Sequence, residues 1–148
     1  MIISSLANTN TAIQHERAAA QRIGLYGGAF DPPHRAHVAL AAAAVQQLGL
    51  ERLYIIPTGQ PWMKQRQLTS GMHRLHMTQA AFASVPQAVV DDCELRRSGT
   101  TYTIDTLREI QSRYAEPAAT EGIDKKTNLQ TGDISWFLIM GEDLLQTL

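Results

Sequence analysis

A chain of 148 residues, 44% hydrophobic and 18% charged, is long enough for one domain with a real core and too short for two. A net charge of -1, from 13 Lys+Arg against 14 Asp+Glu, excludes general binding to a nucleic-acid backbone. Cys93 is the single cysteine, which excludes an internal disulfide framework and a Cys-rich zinc site, and no apolar run approaches the ~20 residues that span a bilayer. Residues 1–21 carry neither the basic nor the continuous apolar region of a secretory signal, and Glu16 argues against a transit peptide. They are expected to form a flexible N-terminal extension ahead of a domain over residues 22–148, and a cytoplasmic location follows by default.

Arg22-Ile23-Gly24-Leu25-Tyr26 predicts a buried strand ending at Gly27-Gly28, and Asp31-Pro32-Pro33 predicts a turn. The Ala-rich run from Arg35 to Leu48 predicts a helix, with Gly49 as its left-handed stop. Leu53-Tyr54-Ile55-Ile56 is a second strand stopped by Pro57, followed by a loop over residues 58–70. Residues 71–83 form a second helix with Met72, Leu75 and Phe82 on one face, and Ala88-Val89-Val90 starts a third strand. Residues 103–114 form a third helix with Ile104, Leu107 and Tyr114 inward and a Glu109–Arg113 pair outward. A polar loop over residues 115–133 leads to the near-continuously apolar Ile134–Met140, which suits a strand covered on both faces, and Gly141 opens a last helical segment. The alternation of strand and helix predicts an α/β fold: a Rossmann-like open parallel sheet with helices on both faces. Ligands of such sheets bind beyond the carboxyl ends of the strands, which directs attention to the residues after Tyr26, Ile56 and Met140.

The segment Gly27-Gly28-Ala29-Phe30-Asp31-Pro32-Pro33-His34-Arg35-Ala36-His37 is the most informative. Two glycines at a strand end allow a phosphate close to the backbone. His34 and His37, three residues apart at a helix start, share one face with the unpaired N–H groups and the positive dipole end. Imidazoles there can donate to a transferring phosphate and stabilise charge that grows in the transition state. The segment is neither GxGxxG nor a P-loop, and a zinc reading of the two histidines needs a third ligand and fits poorly with i,i+3 spacing. His73 and His76, also three apart, read as surface or packed residues; Trp136 and Phe137 read as core, and Arg74 as a tie between its helix and the sheet. Trp62, on a Pro/Gly loop, is a candidate for stacking on a base.

GGAFDPPHRAH resembles the GGxFDPxHxGH signature of bacterial nicotinate-nucleotide adenylyltransferases, members of the nucleotidyltransferase superfamily with an HxGH motif. PTGQPWMK at residues 57–64 is similar to the family loop that ends in Pro-Pro-His and a basic residue. Residues 73–77 resemble its RxxM helix, residues 94–107 its ExxR…SYTxDTL segment, and residues 139–143 its strand ending in GxD. The resemblance implies transfer of the adenylyl group of ATP, with Mg2+, to nicotinate mononucleotide in NAD biosynthesis. It implies catalytic roles for His37 on the α-phosphate and His34 on the triphosphate. Gly27, Gly28, Phe30 and Lys64 would shape or contact the ATP and phosphate site, and Thr103, Asp143 and Arg97 the nicotinate-nucleotide site. It implies no nucleic-acid or membrane partner and leaves homo-oligomerisation open. A pantetheine-phosphate adenylyltransferase-like enzyme, a non-catalytic nucleotide-binding fragment and an interaction protein that uses a bare strand edge are the alternatives. Ala36 replaces the Gly of HxGH, and Trp62-Met63 the usual Pro-His. Family members continue past GxD with a further strand, helices and a Ser/Thr…Arg motif. The chain is therefore expected to be C-terminally incomplete, with the 134–140 strand at an exposed apolar edge.

Overall fold

The computed structural model describes residues 2–6, 20–61, 67–114 and 133–141. The elements are β1 (Ile2–Leu6), β2 (Gln21–Gly28), α1 (Arg35–Leu48), β3 (Arg52–Pro57), β4 (Gln60–Pro61) and α2 (Gly71–Phe82). They continue with β5 (Ala88–Val90), α3 (Cys93–Arg96), β6 (Thr100–Thr101), α4 (Thr103–Ser112) and β7 (Ile134–Met140). One sheet has the order β1-β7-β2-β3-β5, and β4 and β6 form a separate pair. Strands β7, β2, β3 and β5 run parallel, as the βαβ alternation requires. The α/β class and the helices on both faces agree with the sequence reading.

The period of two sorts each strand into two cores. Tyr26, Leu53, Ile55, Phe137 and Ile139 face α1 and α2, where Ala41, Ala44 and Phe82 meet them. Ile23, Leu25, Tyr54, Ile56 and Trp136 face the other way, against Cys93 of α3 and Ile110 of α4. Gly24 is buried between Leu50, Leu53 and Ile139: a Cβ there would lie 2.7–2.9 Å from all three side chains. Gly49 ends α1 in the left-handed region, at φ 60°, as its position predicted.

Three expectations need correction. Residues 2–6, read as part of a flexible extension, form β1 and pair antiparallel with β7, Ile2 opposite Met140 and Leu6 opposite Trp136. The edge of β7 expected to be bare therefore carries a strand. The sequence IISSL has no clean alternation, so only the long-range pairing reveals it. Met72 is 60% exposed, because α2 buries Arg74, Leu75, Thr78 and Phe82, a stripe that includes two polar residues and lies to one side of Met72. Ile104 is 50% exposed, because the residues that α4 turns inward are Thr106 and Ile110. The Glu109–Arg113 pair forms as expected, at 3.5 Å. Residues 115–132 and the segment after Gly141 lie outside the described residues, as does most of the 1–21 extension.

Candidate functional site

The chain runs from β2 outward to β3 and β5, then returns to place β7 on the other side of β2. The strand order therefore reverses between β2 and β7, and the crevice beyond their carboxyl ends is where ligands of open α/β sheets bind. Gly27 and Gly28 close β2 at that point, opposite Ile56 and Pro57 of β3. The ladder continues one step further, with Thr58 N–H donating to the Gly28 carbonyl at 2.8 Å. A Cβ on Gly28 would come within 3.0 Å of the Phe30 ring, whereas Gly27 has open room around it.

Phe30 folds back under the loop. Its φ is +47°, a left-handed conformation costly for a residue with a side chain, and its ring is 1% exposed. The ring meets Tyr26, Phe82 and His37 edge-on, with centroids 5.1–5.5 Å apart. Burial of the ring holds the unusual backbone in place and sets the direction in which the chain enters α1. The Asp31–Pro32 peptide is cis.

His34 is the N-cap of α1 and His37 lies in its first turn, which contains no acidic residue to neutralise the dipole. The two rings stack, 3.7 Å between centroids and 23° between planes. The His34 backbone N–H donates to His37 Nδ1 at 3.1 Å. With Nδ1 accepting, the neutral His37 ring carries its proton on Nε2, which makes Nε2 the donor atom of the ring. Donor imidazole, helix N-terminus and glycine strand end thus converge at one point, an arrangement that can hold a phosphate and stabilise charge building on it.

Thr103 approaches the same end of the sheet from the opposite face. Tyr102 is the N-cap of α4, and Thr103 begins the helix after β6, which pairs with β4 just past the end of β3. Thr103, Ile104 and Leu107 line an apolar cavity of about 220 Å³ with Leu25, Trp136 and Leu138. Since α1 covers the Tyr26 face and α4 the Ile23 face, the N-termini of two helices flank the end of β2 from both sides. Arg97 does not reach into an open loop. Its guanidinium donates to Glu109 Oε2, from Nη2 at 2.6 Å and from Nε at 3.1 Å, and from Nη1 to Thr106 Oγ1 at 3.0 Å. Lys64, Trp62 and Asp143 lie outside the described residues. His73 and His76 are exposed, and Trp136 and Phe137 are buried, as expected.

Two anchoring groups escaped the sequence reading. Glu94, 9% exposed, accepts from the Gly59 N–H at 3.2 Å and from Thr106 Oγ1 at 2.6 Å, which ties α3 to the end of β3 and to α4. Asp31 accepts the Thr69 N–H at 2.8 Å, linking the β2–α1 loop to the approach to α2. Arg74, read as a tie to the sheet, is buried on α2 and donates to three backbone carbonyls of this region. Burial pushes its pKa down from the ordinary range, and Asp31 opposes the shift. The available signal was an arginine inside the buried stripe of a helix, where an unpaired charge is not tolerated. Among the described residues no group of three or more His, Cys, Asp or Glu could hold a metal ion, and no helix is long and apolar enough to cross a membrane.

The cytidylyltransferase-like family model matches residues 25–148. A protein of Albidiferax ferrireducens called a probable nicotinate-nucleotide adenylyltransferase is 47% identical over 86% of this chain and 56% of its own length. Proteins of the same name from Methylibium petroleiphilum and Herpetosiphon aurantiacus are 44% and 39% identical over 86% of the chain, covering 52% and 56% of their own lengths. The chain thus spans about half the length of the curated relatives it matches.

Proposed function

Because the chain belongs to the cytidylyltransferase-like family, we propose that it carries the nucleotide-transfer site of an enzyme that moves the adenylyl group of ATP to nicotinate mononucleotide. A phosphate oxygen of the mononucleotide attacks the α-phosphorus. The bond to the bridging oxygen breaks, pyrophosphate leaves with the electron pair, and nicotinate adenine dinucleotide forms. The choice of mononucleotide is supported by the names of the relatives. The reaction type is supported by one observation above the others: the stacked His34–His37 pair, its His37 Nδ1 fixed by the His34 N–H, at the helix N-terminus beyond Gly27-Gly28.

His37 donates to the α-phosphate and stabilises the charge that accumulates there, and His34 helps hold the triphosphate. Gly27 and Gly28 admit the phosphates against the backbone, and buried Phe30 sets the path of the loop. The nicotinate nucleotide occupies the side of β2 where Thr103 begins α4. For Lys64 and Asp143, which lie outside the described residues, the proposal keeps the roles the resemblance implies: Lys64 toward the ATP phosphates and Asp143 toward the nicotinate nucleotide. Arg97, paired with Glu109, supports the Thr103 side through α4. The work is in-line positioning with charge neutralisation, and no covalent nucleophile is needed. Mg2+ enters as part of the nucleotide substrate, coordinated by phosphate oxygens, and the reaction belongs in the cytoplasm as a step of NAD synthesis.

Pyrophosphate release measured with ATP, nicotinate mononucleotide and Mg2+ tests the proposal. Release is expected to require the mononucleotide and to fall about 100-fold or more in His37→Ala, the scale of losing one transition-state donor. Release without the mononucleotide, or an unimpaired variant, would refute it.

A further inference from the structure

Arg74 makes no use of a carboxylate partner within hydrogen-bond reach; its donors go to backbone. Nε donates to the Thr69 carbonyl at 2.8 Å, and Nη1 to the Thr58 carbonyl at 2.7 Å and the Ala29 carbonyl at 3.0 Å. These belong to three segments: the loop from β2 to α1, the turn after β3, and the approach to α2. The residue is 3% exposed, so the guanidinium sits beneath all three. Asp31 completes the arrangement by accepting the Thr69 N–H.

Ala29 directly precedes Phe30, the one non-glycine among the described residues with positive φ. A strained residue persists only where its surroundings over-determine it. The aromatic packing fixes Phe30 through its ring, and Arg74 fixes the peptide before it. We infer that Arg74 is a positioning residue: it holds the β2–α1 loop, the end of β3 and the approach to α2 as one rigid unit, and so pre-organises the phosphate site at which His34 and His37 act. The role rests on the proposed function for what the site binds, but not for the rigidity itself. A planar guanidinium suits the task, because its N–H groups diverge in a fixed fork that a lysine ammonium does not reproduce.

The test compares wild type, Arg74→Lys and Arg74→Ala, with backbone amide exchange and MgATP affinity as readouts. In Arg74→Lys, exchange is expected to quicken about tenfold or more at residues 29–31 and 58–59, while Ile23–Leu25 in β2 stays protected. The MgATP dissociation constant is expected to rise about tenfold, the cost of losing pre-organisation. In Arg74→Ala, free guanidinium at low millimolar concentration, far below denaturing levels, is expected to restore protection at the same residues. Unchanged exchange in the loops, or acceleration spread evenly over the strands, would overturn the inference. So would unweakened MgATP binding by Arg74→Lys beside a wild type that binds. A wild type that binds no MgATP would defeat the adenylyl-transfer reading, and the exchange measurement would still decide the role of Arg74.

Discussion

At the scale of single residues, the site depends on contacts that tolerate almost no added volume or lost charge. Gly59 lies where a Cβ would meet the Glu94 carbonyl oxygen at 2.3 Å, and backbone cannot step aside as a side chain can. Gly59→Ala is therefore expected to cost about 1–3 kcal/mol in denaturant unfolding, the range for overpacking. Asp91 illustrates the charge side. Burial disfavours its carboxylate, but hydrogen bonds from Arg113 and Cys93 outweigh this and hold its pKa below the ordinary value. A carboxylate depressed in the folded state stabilises above its unfolded pKa, about 3.9, and that contribution fades as the pH falls through the folded value. Asp91→Asn is expected to melt below wild type at pH 7, with the gap narrowing in melts below about pH 4. A gap that stays constant into acid would show that packing, not charge, is what Asp91 supplies. The Cys93 thiol beside it is pushed up to about 12, by burial first and then by Asp91, which keeps it protonated and apolar.

Elements that pack through a long apolar face were legible from sequence, and elements defined by pairing were not. The positions of α1, β3 and β7 follow from helix formers, β-branched runs and stop residues, and they emerge at nearly the expected bounds. The pair β4–β6 has two residues in each strand, too few to show any period, and exists because Gln60 and Pro61 meet Thr100 and Thr101. The buried stripes of α2 and α4 were misjudged at Met72 and Ile104, where apolarity alone suggested burial. The true stripes include Arg74, Thr78 and Thr106, polar groups that are buried because each has partners. That the strand-end glycines and the helix-start histidines come together was legible in their spacing; Arg74 was legible as a tie, but which carbonyls it binds was not, since a backbone acceptor leaves no trace in sequence. Strand β1 gives an element-scale prediction. Removing residues 1–6 uncovers the edge of β7, and the shortened chain is expected to lose monomer to larger species in size-exclusion runs at equal concentration. Equal monomer in both chains would show that β1 does not protect that edge.

At the scale of the whole molecule, the sheet separates two tasks. The face under α1 and α2 carries the aromatic support of the histidine pair, and the face under α3 and α4 carries the cavity beside Thr103. In the proposed reaction the two nucleotides would approach the end of β2 from opposite faces and meet over Gly27-Gly28 without competing for the same wall. The same strand order has a consequence for biosynthesis. Tyr26 pairs with Ile139, so the central strand of the sheet waits for a neighbour encoded near the other end of the chain. On a ribosome that emits roughly 5–20 residues per second, β2 and β3 can associate early, but the crevice has only one wall until β7 emerges. The nascent protein would thus pass through a stage in which the β2–α1 loop is built and one side of the crevice beside it is still open.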